Sequence, residues 1–237
     1  MHNAKEIKES LIEIGNEEKA KNLRWFFKTG KGQYGEGDLF LGITVPENRM
    51  IAKHYMDTPL EELELLIADP YHEVRFCALL ILVEQFKKQK AQRERIVEFY
   101  LSHTQYINNW DLVDLSCPAI LGNYLLDKER SLLDRLIHSN LLWEQRIAIV
   151  TNWTLIRKGE LDDIFRLAEV VLNHPHDLMQ KATGWMLREA GKKDKERLCH
   201  FLGKYHTTMP RTTLRYAIEK LDAGERAYYM QKTKKEA

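Results

Sequence analysis

The chain has 237 residues, 44% of them hydrophobic and 30% charged, with a formal net charge of +1. That composition supplies a sizeable core, and it argues against a protein that is basic over its whole surface. No run nears the roughly 18 apolar residues of a bilayer span, and the charged start, Met1-His-Asn-Ala-Lys-Glu-Ile7, predicts neither a signal peptide nor a membrane anchor.

Taken in chain order, the first long element is a helix over Glu17 to Lys28, followed by the glycine-rich stretch Gly30 to Gly37. Gly30-Lys-Gly-Gln-Tyr-Gly35 satisfies the dinucleotide-binding pattern G-x-G-x-x-G, but it follows a helix and precedes an extended piece, Leu39-Phe-Leu-Gly-Ile43. The fingerprint works only between a strand and a helix N-terminus, so a surface loop is expected. Its lysines and Tyr34 could touch a phosphate backbone. Val74, Cys77, Ala78, Ile81 and Leu82, and later Ile147, Val150 and Leu155, recur with helical period, and no strand of convincing length appears. Pro46, Pro59, Pro70, Pro118, Pro175 and Pro210 fall in linkers or first turns, where a missing N–H costs nothing. The expected fold class is all-α, built from many short helices.

The entries to the later helices recur about every 35 residues. They are Pro70 to Arg75, Asn108 to Asp114, Leu141 to Arg146, Pro175 to Lys181 and Pro210 to Arg215. Such a period predicts stacked helical hairpins that present every second helix on one concave surface. Arg75, Trp110 with Asp114, Arg146, Lys181 with Trp185, and Arg215 would then share a row. Helix lengths that merely average this value are the alternative. One domain is expected over 1–237, with a basic tail from about 228, including Gln231-Lys-Thr-Lys-Lys235.

Trp110 and Asp114 stand four residues apart, one above the other on a helix face. An anion beside a π surface suits a cationic centre, whereas a core tryptophan next to a helix-capping aspartate is the plainer alternative. Trp143 with Arg146 and Trp185 with Arg188 repeat the interleaving of aromatic and basic side chains that nucleic-acid surfaces use. Trp153 reads as core, and Gly184 as a point of close approach or a helix-packing glycine. From Arg188 onward, 13 Lys and Arg face 7 Asp and Glu, a local charge of +6 against −5 for the rest. Lys192, Lys193 and Arg211 therefore join Arg75, Lys181, Arg188 and Arg215 as expected nucleic-acid contacts. Cys77, Cys117 and Cys199 form no ligand pattern, leave an odd thiol and read as small core residues of a reducing compartment. His72-Glu73 lacks a second histidine, and His174 and His176 flank a proline, so no metal site is expected. If the protein is an enzyme, a carboxylate does the work.

Trp110-Asp-Leu-Val-Asp114, Glu144-Gln-Arg146, Gly184-Trp-Met-Leu-Arg-Glu189 and Met209 to Ile218, preceded by Leu39 to Ile43 and His72-Glu-Val-Arg-Phe76, together resemble the DNA alkylation repair glycosylases built from HEAT-like repeats. The likeness runs from about Glu17 to Leu221. It implies a superhelix of antiparallel helix pairs whose concave groove grips double-stranded DNA and removes N3-methyladenine and N7-methylguanine without metal or cofactor. By the same likeness Trp110 and Trp185 line the lesion's deoxyribose, Asp114 is the catalytic carboxylate and Arg146 holds the backbone. Phe26 falls where relatives often carry a tyrosine, and the loop after Lys28 departs from the shortest members. Family members are thought to leave the base outside a tight pocket, and the sequence holds no cluster of polar base readers. The resemblance further implies a monomer that is cytoplasmic or nucleoid-associated, with no membrane or obligatory protein partner. A non-catalytic DNA-binding relative and a protein-interaction scaffold are the alternatives.

Overall fold

The computed structural model describes residues 2–231. Among them the regular structure is helical, and the one β pairing is an isolated parallel bridge between Leu39 and Tyr71. No described helix is long and apolar enough to cross a membrane. The chain divides into two compact units, Met1–Ser116 and Cys117–Ala237.

The first unit holds α1 (Ala4–Glu13), α2 (Glu17–Phe26), α3 (Val45–His54), α4 (Leu60–Ile67), α5 (His72–Lys88), α6 (Arg93–Ser102) and α7 (Trp110–Ser116). Capping boxes start α1 at Asn3 and α3 at Thr44, each with a glutamate three residues on, and Pro46 occupies the first turn of α3. Fourteen of the seventeen residues of α5 are buried, so its apolar pattern runs all round and not along one stripe. The reason is its central position, with α3, α4, α6 and α7 all packed against it. Cys77 lies in this interior, where burial pushes its thiol up to about 12. Cys117 is also buried, whereas Cys199 is only half-buried, so the core assignment holds for the first two alone.

The expected helix Glu17 to Lys28 stops at Phe26, and Lys28 takes a positive φ of 56°. Gly32 and Gly37 also have positive φ, 76° and 90°. These left-handed residues turn the loop back toward Leu39, the role expected of a surface loop and not of a dinucleotide cradle.

The second unit holds α8 (Ser131–Ile137), α9 (Leu142–Arg157), α10 (Asp162–Val170), α11 (Asp177–Gly191), α12 (Lys195–Tyr205), α13 (Arg211–Ala217) and α14 (Ala223–Met230). Here α9 packs on α8, α10 and α11, and α11 in turn packs on α10, α12 and α13. Helices α5, α7, α9, α11 and α13 begin at residues 72, 110, 142, 177 and 211, steps of 38, 32, 35 and 34. Each is preceded by another helix, so the 35-residue spacing read from the sequence reflects an all-α, repeat-like arrangement. Tyr228 to Met230 belong to α14, and the remainder of the expected basic tail, 232–237, lies outside the described residues.

Gly184 is a helix-packing glycine. A Cβ there would stand 2.5 Å from Thr213 O and 2.5 Å from the Tyr216 Cβ, so α13 lies directly on this face of α11. Gly184→Ala is accordingly expected to lower stability by about 1–3 kcal/mol, because backbone cannot yield as a side-chain tip can. Urea titration of the variant measures this, and unchanged stability would show that α13 is free to shift.

Candidate active site

The helix that carries Trp110 and Asp114 is short, and its start is held by side chains. Asn109, fully buried, accepts a hydrogen bond from Trp110 N at 2.8 Å, and Asp111 does the same for Leu112 N at 2.9 Å. The Trp110 ring stacks on Phe27 with centroids 5.5 Å apart and an interplanar angle of 24°, and meets Phe26 edge-on at 6.1 Å. It thereby packs partly against the buried cluster of Ala20, Phe27 and Phe40. One side of Trp110 thus covers core, and the half-buried remainder lines a cavity. That cavity measures about 510 Å³, and Asp114, one turn beyond Trp110, lines it as well.

The stretch His72-Glu-Val-Arg-Phe76 explains how this wall is built. Glu73, buried at the start of α5, accepts backbone N–H bonds from Leu41 (3.0 Å), Gly42 (2.8 Å) and Ile43 (3.3 Å), pinning the extended segment to α5. Gly42 makes that turn at φ 82°, where a Cβ would lie 2.0 Å from Asn16 O. His72 reaches Asp111 with Nε2 at 2.8 Å and Asp38 with Nδ1 at 3.4 Å. Its ring stacks on Phe40 at 4.8 Å and leans on Phe27 at 4.9 Å. Arg75 donates to Asp38 at 2.7 Å, to Asn108 at 3.0 Å and to the Asp69 carbonyl at 2.8 Å.

Two carboxylates, an imidazole and a guanidinium therefore share the interior of the first unit. Burial works against charge on His72, but Asp111 and Asp38 outweigh it and raise its pKa from 6.5 to about 9. Burial likewise opposes ionisation of Asp38, and His72, Arg75 and Asn108 together hold its carboxyl below the ordinary value. This network was invisible in the sequence, because His72 and Asp111 are 39 residues apart and Asp38 sits in the glycine-rich region. It corrects the place assigned to Arg75. Expected on a nucleic-acid face, Arg75 is 4% exposed and ties the loop at Asp38 to the entry of α7 at Asn108. Phe26, in contrast, is 53% exposed beside Trp110.

In the second unit, Arg146 lies on α9 and is largely buried, with Nη1 donating to the Leu178 carbonyl at 2.6 Å. Trp185, half-buried on α11, meets Trp153 edge-on at 6.1 Å. Trp153, read as core, is itself half-buried, with the Arg157 guanidinium 5.2 Å from its ring centre. Arg188 is bound to Glu219 and, at 3.1 Å, to Glu189, which also takes Lys192 at 2.8 Å. Part of the basic excess after Arg188 is thus matched by carboxylates in space. Lys181 pairs with Asp177 at 2.6 Å one turn before it on α11. Lys193 and Arg215 are exposed, as is Arg211, which donates to the Met230 carbonyl at 2.7 Å.

Among the described residues, no three His, Cys, Asp or Glu side chains gather in a way that could hold a metal ion. What the first unit offers is an aromatic cavity bordered by the Asp111 and Asp114 carboxylates, in an all-helical, repeat-like chain. The model of the DNA alkylation repair enzyme family matches residues 7–221, and the chain belongs to that family. A solved structure of a predicted DNA alkylation repair enzyme from Enterococcus faecalis is similar in fold, with a TM-score of 0.68 and 18% identity over 88% of this chain and 97% of that one. No match was found among curated proteins.

Proposed function

We propose that the protein is a monofunctional DNA glycosylase of base excision repair that hydrolyses the N-glycosidic bond of cationic alkylated purines, N3-methyladenine and N7-methylguanine, in duplex DNA. The observation that carries this reading is the placement of Asp114 one helical turn beyond Trp110 on the lining of a single aromatic cavity. An alkylated purine already bears positive charge and leaves without protonation. The protein then has to favour the oxocarbenium-like sugar and admit water. In this assignment Asp114 faces the developing positive charge and orients the water, and the Trp110 ring adds a π surface, a contact of about 0.5–2 kcal/mol. Neither step calls for a cofactor or a metal ion.

Trp185 is assigned a second aromatic contact to the deoxyribose, and Arg146 a contact to the DNA backbone. Phe26, exposed beside Trp110, can pack on sugar or base but has no hydroxyl to donate. Lys181, Lys193, Arg211 and Arg215 are the proposed phosphate contacts, with Lys192 and Arg188 in support. Arg75 is left out, since its guanidinium is spent on Asp38, Asn108 and the Asp69 carbonyl. The proposed working form is a monomer in the cytoplasm, associated with the nucleoid when bound to DNA.

Incubation with a duplex carrying N7-methylguanine should create alkali-labile abasic sites, and a matched unmethylated duplex should stay intact. Failure to cleave the methylated strand would leave only the DNA-binding or scaffold alternatives. In binding titrations Lys181→Ala is expected to weaken DNA affinity and to reduce the slope of log K against log salt by about 1. An unchanged slope would place Lys181 outside the interface.

A further inference from the structure

The cations assigned to DNA phosphate, from Arg146 to Arg215, all belong to the second unit, residues 117–237, and Arg75 is spent inside the first. A second cavity of the first unit, between α3 and α5, supplies what that unit otherwise lacks. Arg49 and Lys53 of α3 and Lys88 at the end of α5 line it from exposed positions, over a buried floor of Ala52 and Leu80. Among the described residues no carboxylate pairs with these three cations. Glu84, which also lines the cavity, is taken by Lys87 at 2.6 Å, and Lys88 reaches only the sulfur of Met56, a weak acceptor. The helix dipole accounts for lysines in the last turns of α3 and α5, but not for Arg49 in the middle of α3. At about 240 Å³ the cavity is smaller than those that enclose a whole small ligand. Unpaired cations around a low-dielectric floor of that size suit a single phosphodiester.

The two cavities of the first unit follow one another along the same helices. Asn48 lines the aromatic one and Arg49 the basic one, and on α5 Phe76 lines the first and Leu80, one turn on, the second. From Phe76 to Glu84 helix α5 advances about 12 Å. That length corresponds to roughly three or four nucleotides of a duplex strand. We infer that Arg49, Lys53 and Lys88 form a phosphate-binding site of the first unit, which holds a backbone phosphodiester of duplex DNA a few nucleotides from the sugar facing Trp110 and Asp114. The inference deepens the glycosylase reading and rests on it for the identity of the ligand. A phosphate held here fixes the register of the strand against Asp114 without reading its sequence.

The test uses the full chain and an unmethylated duplex, with binding read by fluorescence anisotropy at several salt concentrations. Arg49→Ala combined with Lys53→Ala changes two exposed positions, so the fold should persist. The double variant should bind about 10-fold more weakly and reduce the slope of log K against log salt by about 2. Glu84→Gln, in the same cavity, should act in the opposite direction and tighten binding severalfold, which a merely damaged fold would not do. Single neutral methylphosphonates are then placed in turn along both strands around one N7-methylguanine, with Asp114→Asn as the background that keeps the lesion in the strand. Binding should weaken at a specific position, and adding the double substitution should cost nothing further there. An unchanged salt slope, weaker binding by Glu84→Gln, or equal methylphosphonate losses with and without the double substitution would overturn the inference. Base release by the native protein together with an unchanged slope would remove this site alone. A reduced slope on DNA that is bound but never cleaved would keep the site and remove the glycosylase reading.

Discussion

Asp114→Asn is expected to lower the single-turnover rate of N7-methylguanine release on the order of 100- to 1,000-fold, the range seen when a group that stabilises transition-state charge is removed. The amide is nearly isosteric with the carboxylate, so the wall shared with Trp110 and its stacking on Phe27 should persist. DNA affinity should be kept or slightly raised, because a neutral side chain beside DNA removes repulsion from phosphate. A fall in rate with affinity preserved separates a chemical role from a binding one. Equal rates for the two proteins would sink the role given to Asp114. Trp110→Ala is a less clean experiment, since Trp110 also covers the cluster of Ala20, Phe27 and Phe40.

The largest expected loss of stability comes from Asp38→Ala. Asp38 is 6% exposed and answers both Arg75 and His72, so its removal leaves two buried cations without that partner. Breaking a buried pair on one side costs about 3–5 kcal/mol, which a shift of the urea midpoint would register. A change below about 1 kcal/mol would mean that water or Asp111 compensates. The same network sets a pH dependence. The pKa of His72 is raised from 6.5 to about 9 on folding, with Asp111 and Asp38 facing the ring and Arg75 opposing from the same helix. Its contribution is therefore fully present below pH 6.5 and is lost as pH rises through 9. Over that interval native stability should fall by about 3 kcal/mol, and His72→Gln should flatten the slope. A native protein whose stability is level across that interval would contradict the charged imidazole. At the acid end the lowered pKa of Asp38 acts oppositely, adding stability that disappears as pH falls below the ordinary carboxylate range.

What could be read from the sequence was local and periodic. The helix entries near residues 72, 110, 142, 177 and 211 follow from hydrophobic spacing and proline placement, both short-range properties. The stacking of Trp110 over Asp114 follows from helix geometry in the same way. What escaped depends on partners distant in the chain. Arg75 has the spacing of a groove residue, yet Asp38, 37 residues earlier, draws it inward. Arg188 counts as basic surface until Glu219, 31 residues later, is seen beside it. Gly184 reads as a point of close approach or a helix-packing glycine, and only Thr213 and Tyr216 decide for the helix. The cavity went unread because Phe40, His72 and Trp110 come together from three separate segments.

The most direct measurement of the central claim is mass-spectrometric quantification of free base after the native protein meets a duplex containing one N7-methylguanine. Stoichiometric release of N7-methylguanine is expected, with an abasic site left in the strand and no release from the unmethylated control. Intact methylated DNA recovered from a protein that binds it would mean that the protein is not a glycosylase for this lesion.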